Sequence, residues 1–150
     1  MNFITNSAIE TENCGYTLAE TLDKANIKRA FIAMKGEMGV GKTAFTRGFA
    51  SYFGISGIKS PTYTIVNEHR GKARLFHFDM YRIESDDDLL SIGFDDYIEQ
   101  EGYCVAEWSE NVTEFLPDGL IFVEIQRCAE HTDKRTIKIY SDGIYENIGI

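Results

Sequence analysis

The stretch Gly36-Glu37-Met38-Gly39-Val40-Gly41-Lys42-Thr43 satisfies the pattern G-x-x-x-x-G-K-[ST] at every fixed position. In such a loop, glycines let successive backbone N–H groups turn inward around a phosphate, because residues without a Cβ tolerate that backbone at low cost. The Lys42 ammonium would bridge β- and γ-phosphate oxygens, and the Thr43 hydroxyl would ligate magnesium. The stretch therefore predicts a site for a nucleoside triphosphate.

The sequence on either side of this loop has the strand, loop and helix order that such a site requires. Residues 30–34 form a short apolar run typical of a buried strand, and residues 42–53 carry aromatic side chains at helical spacing. A helix beginning at Lys42 would point its free amides and partial positive charge at the phosphates. The alternative is a glycine-rich turn without a ligand, which the two flanks disfavour.

The length and composition of the chain predict one compact domain over residues 1–150, with enough apolar residues (43% of 150) to fill one core. Nothing near Met1 has the pattern of a signal peptide, and no window approaches the length of an apolar membrane helix. We therefore expect a soluble, cytoplasmic protein. Three widely spaced cysteines favour reduced thiols over a disulfide framework, and their spacing disfavours a zinc site.

The formal charge of -9 bears on the partners of the protein. A chain this acidic should repel a phosphate backbone over most of its surface, so we expect no grip on RNA unaided and no DNA partner. The acidic residues concentrate in residues 84–88, 95–101 and 107–114. These runs form either a solvated face or a docking surface for a basic partner.

Asp79 is the first candidate for an acid beside the phosphates. Residues 63–67 and 73–80 flank a glycine-containing turn and predict a β-hairpin whose second arm closes on this aspartate. An apolar strand that ends in aspartate has the Walker-B form, in which the carboxylate meets hydrated magnesium or orients water. His77 shares the strand face of Asp79 and raises the alternative of an H-x-D metal site. That alternative needs a third ligand, and His69 and His131 are not at ligand spacing.

Glu107 is the second candidate, because it ends the apolar run of residues 103–108, which predicts another strand. In open α/β sheets, ligands bind at the carboxyl edge of the strands, so Asp79 and Glu107 together predict a pair that holds magnesium and activates water. The alternative for Glu107 is a surface acid at the start of a loop. Trp108 should point to the opposite face, for core packing or for contact with a partner.

Three further residues have weaker signals. Thr62 lies in the Ser-Pro loop before a strand, where it either senses the γ-phosphate and metal or is an ordinary strand lead-in. Thr11 lies in a helix predicted from a capping box at Ser7 to about Lys24, either in the core or over the nucleotide base. Arg135 opens the second arm of a hairpin predicted from residues 120–125 and 136–140 with a polar connection over 126–134. It either reaches a base or phosphate or is a solvated strand-edge arginine.

Five motifs together resemble the bacterial TsaE family, over about residues 7–140. They are the phosphate loop with Phe45-Thr46-Arg47-Gly48, then Ser60-Pro61-Thr62-Tyr63-Thr64, His77-Phe78-Asp79-Met80-Tyr81-Arg82, Gly93-Phe94-Asp95-Asp96-Tyr97 and Val105-Ala106-Glu107-Trp108. The usual GDLGAGKT of the family stands here as GEMGVGKT, which keeps every functional position. TsaE is the small ATPase of the machinery that makes threonylcarbamoyladenosine in tRNAs reading codons that begin with A, together with TsaD, TsaB and TsaC.

The resemblance implies an α/β fold: a P-loop NTPase-like domain with a mixed central β-sheet flanked by helices and with antiparallel hairpins. It implies that ATP and Mg2+ are bound, that hydrolysis is weak, and that a TsaD–TsaB complex holds the tRNA. Thr43 and Glu107 would ligate the metal, Asp79 would hold its water shell or the attacking water, and Thr62 would lie in a switch-like loop. The implied catalytic residues are Lys42, Asp79, Glu107 and Thr62. The implied nucleotide-binding residues are Thr11, Glu37, Met38, Gly39, Val40, Gly41, Lys42, Thr43, Ala44 and Arg135.

Two other functions remain open beside an ATPase subunit. A small-molecule kinase would normally carry an arginine-rich lid, and the arginines after Asp79, which are Arg82, Arg127 and Arg135, are not clustered. A nucleotide-gated binding module would need ATP but not its hydrolysis. GTP is disfavoured because no Asn-Lys-x-Asp motif occurs.

Overall fold

A computed structural model describes residues 1–60 and 65–150, without the side chains of Asn111 and Thr113. The elements in chain order are β1 (Asn2–Thr5), α1 (Ala8–Lys24), β2 (Arg29–Lys35), α2 (Lys42–Tyr52), β3 (Val66–Arg70), β4 (Arg74–Asp79), α3 (Asp86–Ser91), α4 (Phe94–Glu99), β5 (Gly102–Glu107), β6 (Leu120–Cys128) and β7 (His131–Ser141). Short 3-10 helices cover Ser109–Phe115 and Glu146–Ile148. None of the helices in these ranges has the length and apolar character of a membrane span.

Within the described residues, one sheet has the strand order β1-β7-β6-β2-β5-β4-β3. Its four central strands, β6, β2, β5 and β4, run parallel, and the β3–β4, β6–β7 and β1–β7 pairs are antiparallel. The predicted mixed sheet with antiparallel hairpins is therefore confirmed. Because β4 and β5 are parallel and in register at their last residues, Asp79 and Glu107 are direct neighbours at the carboxyl edge of the sheet.

Helices cover the two faces of the sheet over separate apolar clusters. Because side chains alternate along a strand, Ile32 and Met34 of β2 face α1 and α2, whereas Phe31 and Ala33 face α3 and α4. The predicted flanking of the sheet by helices is thus confirmed. The cysteines are free thiols, and burial raises the pKa of Cys14 to about 11 and that of Cys104 to about 12.

Helices α1 and α2 approach each other closely at two glycines. A Cβ at Gly48 would lie 1.8 Å from the carbonyl oxygen of Glu12, and one at Gly15 would lie 2.0 Å from the carbonyl oxygen of Phe45. Glycine weakens a helix by its own propensity, but here no other residue fits between the two backbones. This contact fixes α2, and therefore Lys42 and Thr43 at its first turn, against the rest of the domain.

The strands of the last hairpin are longer than predicted. Residues 126–134, expected as a polar connection, mostly belong to strands, since β6 continues to Cys128 and β7 begins at His131. Their side chains are largely exposed, so no apolar alternation marked them as strand. In the sheet, the backbone of Arg135 consequently pairs with that of Arg127 in β6 on one side and with that of Thr5 in β1 on the other. Strand β7 is thus an inner strand. The interpretation of Arg135 as a strand-edge residue is therefore wrong.

Candidate functional site

The phosphate loop connects the end of β2 to the start of α2 at the carboxyl edge of the sheet. Gly36, Gly39 and Gly41 have φ values of 143°, 71° and 121°, which a residue with a Cβ rarely adopts. At Gly36 a Cβ would also lie 2.5 Å from the carbonyl oxygen of Ile125. The glycines of the motif are thus required by the backbone path itself, which leads the chain directly into the N-terminus of α2.

Lys42 is the buried cation of the site, with 5% of its surface exposed. Its ammonium donates to the carbonyl oxygens of Gly36 and Glu37, at 3.0 Å for Glu37, and lies 4.3 Å from the ring centre of Trp108. Burial lowers the pKa of Lys42, and nearby carboxylates, Glu107 foremost, oppose that shift. An anionic ligand in the cavity would stabilise the charged form of Lys42 that burial disfavours.

Glu107 is 4% exposed, so its interpretation as a surface acid at the start of a loop is wrong. Its Oε1 accepts a hydrogen bond from the Thr43 hydroxyl at 3.3 Å and lies 3.0 Å from Nε2 of His77. Because a carboxylate can only accept, we place the ring proton of His77 on Nε2. His77 therefore contacts Glu107, the candidate metal ligand. For the alternative of an H-x-D metal site, the described residues offer no group of three or more His, Cys, Asp or Glu side chains suited to a metal.

Asp79 lies beside Glu107 and is partly exposed. Its Oδ1 accepts from the backbone N–H of Tyr81 at 3.0 Å, which holds the carboxylate at the strand end. The two acids differ in environment, because Glu107 is enclosed and Asp79 faces the opening. Such a pair suits one direct ligand and one group that orients water.

A cavity of about 490 Å³ joins these residues. It is lined by Met38, Gly39, Gly41, Lys42, Thr43, Ala44, Arg47, Ser60, Asp79, Tyr81, Glu107 and Trp108. Eight of the predicted site residues are among them, and these include Lys42, Thr43, Asp79 and Glu107. The volume falls within the range usual for small-molecule sites.

Four residues predicted to bind the nucleotide do not line this cavity. They are Thr11, Glu37, Val40 and Arg135. The Val40 side chain is buried, and its carbonyl oxygen accepts from Nε of Arg135 at 2.9 Å. Thr11 is 2% exposed and shares a 3.0 Å hydrogen bond with the Thr5 hydroxyl, beside Gly41. Glu37 contributes its carbonyl oxygen to Lys42. The remaining predicted residue, Thr62, lies outside the described residues.

Trp108 contacts both the apolar cluster on the opposite face of the sheet and the candidate site. Strand β5 ends at Glu107, and Trp108 follows with φ of 60°, so the alternation of the strand no longer applies to it. Its ring lines the cavity, over the Lys42 ammonium and edge-on to Tyr81 at 5.2 Å between ring centres. The tryptophan therefore packs partly against the apolar cluster of the opposite face, as expected, and its ring is also part of the site.

Two side chains that the sequence did not point to support the loop backbone. Arg127 of β6 donates to the carbonyl oxygen of Gly39 at 2.9 Å, and Glu110 accepts from the backbone N–H of Gly36 at 3.2 Å. These contacts join residues 74 and 88 positions apart, so no local pattern could have found them. Their signal lies only in the topology of the sheet.

The comparison with known families decides the relationship of the chain. The family model described as "Threonylcarbamoyl adenosine biosynthesis protein TsaE" matches residues 5–137. The chain belongs to the TsaE family. Among TsaE relatives, the tRNA threonylcarbamoyladenosine biosynthesis protein TsaE of Bacillus subtilis is 38% identical over 75% of this chain and 70% of its own length. That of Treponema pallidum is 30% identical over 91% and 99%.

The fold of this TsaE chain agrees with a solved structure. The crystal structure of Bacillus subtilis YdiB covers 99% of this chain, with a TM-score of 0.78 and 30% sequence identity, and the match spans 90% of YdiB. The fold class predicted from the sequence, a P-loop NTPase-like α/β domain, is confirmed by this likeness and by the sheet described above.

Proposed function

We propose that this chain binds ATP with Mg2+ at its phosphate loop and acts as the ATPase subunit in threonylcarbamoyladenosine biosynthesis on tRNA. One observation carries the proposal: Lys42, Thr43, Asp79 and Glu107, from three separate segments, line one cavity at the carboxyl edge of the sheet. The names of its TsaE relatives supply the pathway.

The donor set at the centre of the cavity fits magnesium. The Thr43 hydroxyl and the Glu107 carboxylate are oxygen donors 3.3 Å apart, and Mg2+ prefers oxygen ligands while it keeps several waters. Thr43 and Glu107 would hold the ion directly. When bound, magnesium would neutralise charge on the β- and γ-phosphates.

Other groups of the chain support ATP hydrolysis as the proposed activity. The loop amides and the N-terminus of α2 favour a bound anion, and the buried Lys42 ammonium adds a full positive charge in surroundings where it is weakly screened. We propose that Asp79, which lines the cavity and is partly exposed, orients the attacking water. Trp108 covers Lys42 and restricts access of solvent to it.

The resemblance to TsaE also implies the partners. We propose that a TsaD–TsaB complex stimulates the weak hydrolysis and that tRNA is met only through those partners. The charge of -9 supports an indirect contact with tRNA, because it disfavours binding to a phosphate backbone. Exposed acids on α3 and α4, among them Asp86, Asp87, Asp95 and Asp96, offer a surface for a basic region of a partner.

A reconstituted assay tests the proposal. ATP hydrolysis and threonylcarbamoyl transfer to tRNA are measured with TsaD, TsaB and TsaC, with and without this chain. We expect both activities to rise when the chain is present, and Lys42→Ala to abolish the rise through loss of ATP binding. The matched control is Lys72→Ala, which removes an exposed lysine at the opposite edge of the sheet and should leave both activities unchanged.

Glu107→Ala separates an ATPase from a nucleotide-gated binding module. If turnover matters, this variant supports no transfer even at ATP and Mg2+ concentrations at which its binding of ATP has been verified. Transfer at the wild-type level by a variant without hydrolysis would favour the gated module. Absence of any stimulation by the wild-type chain would overturn the proposed function.

A further inference from the structure

His77 and Glu107 form a buried polar contact that packing of the sheet does not require. His77 is completely buried, on the face of β4 that α2 covers, and its Nε2 lies 3.0 Å from Oε1 of Glu107. A buried imidazole is costly unless its polar atoms are satisfied. Yet its Nδ1, although buried, has no hydrogen-bond partner among the residues that the structure describes. Within the described part of the chain, the hydrogen-bond partner of the ring is thus Glu107, the enclosed acid of the site.

The contacts of Glu107 indicate what this hydrogen bond does. Both Thr43 and His77 contact Oε1, and the hydrogen bonds of the described residues leave Oε2 of Glu107 without a donor. Glu107 lines the cavity. One oxygen of the carboxylate is therefore anchored while the other stays available as a ligand.

We propose that His77 is a positioning residue that fixes the orientation of the Glu107 carboxylate for Mg2+, an inference that rests on the proposed function. Carboxylates that ligate metals are held by outer hydrogen bonds, and loss of such a partner typically costs 10- to 100-fold in metal affinity or activity. Among the described residues, loss of His77 would leave Glu107 with the long 3.3 Å contact to Thr43 as its remaining side-chain hydrogen bond. The carboxylate would then sample other rotamers and bind the metal more weakly.

A matched pair of variants tests this role. His77→Gln keeps an N–H donor that can reach Glu107, and His77→Met has nearly the same length without a donor. The readout is binding of a non-hydrolysable ATP analogue at increasing Mg2+ concentration. It is followed by fluorescence of Trp108, the single tryptophan of the chain, which lies 4.3 Å from the Lys42 ammonium.

We expect His77→Met to raise the Mg2+ concentration for half-saturation about 10-fold or more, and His77→Gln to stay within about 3-fold of the wild type. Binding of the analogue without Mg2+ should change less than about 2-fold in either variant, because Lys42 and the loop are untouched. Equal Mg2+ requirements in the two variants would show that His77 only fills space.

A double-mutant cycle with Glu107→Gln locates the effect. If His77 acts through Glu107, adding His77→Met to Glu107→Gln changes the Mg2+ requirement by less than about 2-fold. A full 10-fold effect in that background would overturn the proposal. A wild-type chain that binds no analogue overturns the proposed function as well, whereas failure of the His77 pattern alone leaves it standing.

A measurement on the wild-type chain keeps the test valid if the variants do not fold. Long-range proton–nitrogen NMR spectra of the imidazole report which ring nitrogen carries the hydrogen. We expect the Nε2–H tautomer for His77, as its contact with Glu107 requires. An Nδ1–H tautomer would leave no donor for Glu107 and would overturn the proposal.

Discussion

Lys42 illustrates how a single residue can lower stability in exchange for binding. Its ammonium is almost fully buried, and its partners there are neutral carbonyl groups and an aromatic ring. Burial disfavours the charged form of the side chain and thereby lowers the pKa of Lys42 in the folded chain. Sites built for ligands commonly carry such a cost.

This burial predicts a dependence of stability on pH. The unfolded chain binds the Lys42 proton more tightly than the folded chain, so raising the pH toward the usual lysine pKa of 10.5 favours the folded state. We expect the free energy of unfolding of the wild type to rise relative to that of Lys42→Met over this range. Urea unfolding of both at several pH values measures the difference, which also cancels other titrating groups. A difference that does not change with pH would contradict the account.

Arg127 is the residue whose role is clearest among those that the sequence did not indicate. It donates to the carbonyl oxygen of Gly39 and pairs with the Glu37 carboxylate at 3.3 Å. We expect Arg127→Gln to loosen the loop and weaken ATP binding roughly 3- to 10-fold, because a partly exposed hydrogen bond contributes about 0.5–1.5 kcal/mol. Calorimetric titration with ATP measures the change in affinity. Arg70→Gln, which removes a surface pair with Glu68, is the control and should bind ATP like the wild type.

At the scale of elements, the close contact of α1 and α2 sets the position of the site. We expect Gly48→Ala to lower the free energy of unfolding by about 2 kcal/mol or more, because its Cβ would overlap the backbone at Glu12. The helix propensity of alanine would by itself raise stability by about 1 kcal/mol. Urea unfolding measures the change, and Asn13→Ala on the exposed side of α1 should stay within about 0.5 kcal/mol. A stable Gly48→Ala would mean that the helices can separate without loss.

Elements whose signals are local could be predicted from the sequence. The capping serine at Ser7 accepts from the Glu10 amide at 3.2 Å, and α2 begins at Lys42 as the phosphate loop requires. What could not be predicted depends on distant or missing signals. The exposed ends of β6 and β7 show no apolar alternation, and the contact of the Trp108 ring with Lys42 depends on β5 ending one residue earlier. The contact between His77 and Glu107 also arises only once β4 and β5 are paired.

At the scale of the whole molecule, net charge should decide how the chain meets tRNA. A charge of -9 opposes the counterion-driven binding that proteins use on nucleic acid. We expect labelled tRNA to show no saturable binding to the isolated chain up to about 100 µM at physiological salt, the weak limit of non-specific binding. Fluorescence anisotropy measures it, with the TsaD–TsaB complex as positive control. Micromolar binding by the isolated chain would contradict indirect contact.

The central claim is that the phosphate loop and two acids from distant segments hold one magnesium nucleotide. A crystal structure with a non-hydrolysable ATP analogue and Mg2+ tests it most directly. We predict Lys42 on the β- and γ-phosphate oxygens, magnesium about 2.0–2.1 Å from the Thr43 hydroxyl oxygen, and the Glu107 carboxylate on the same ion. A nucleotide bound outside this cavity, or a metal held without Thr43 and Glu107, would contradict the claim.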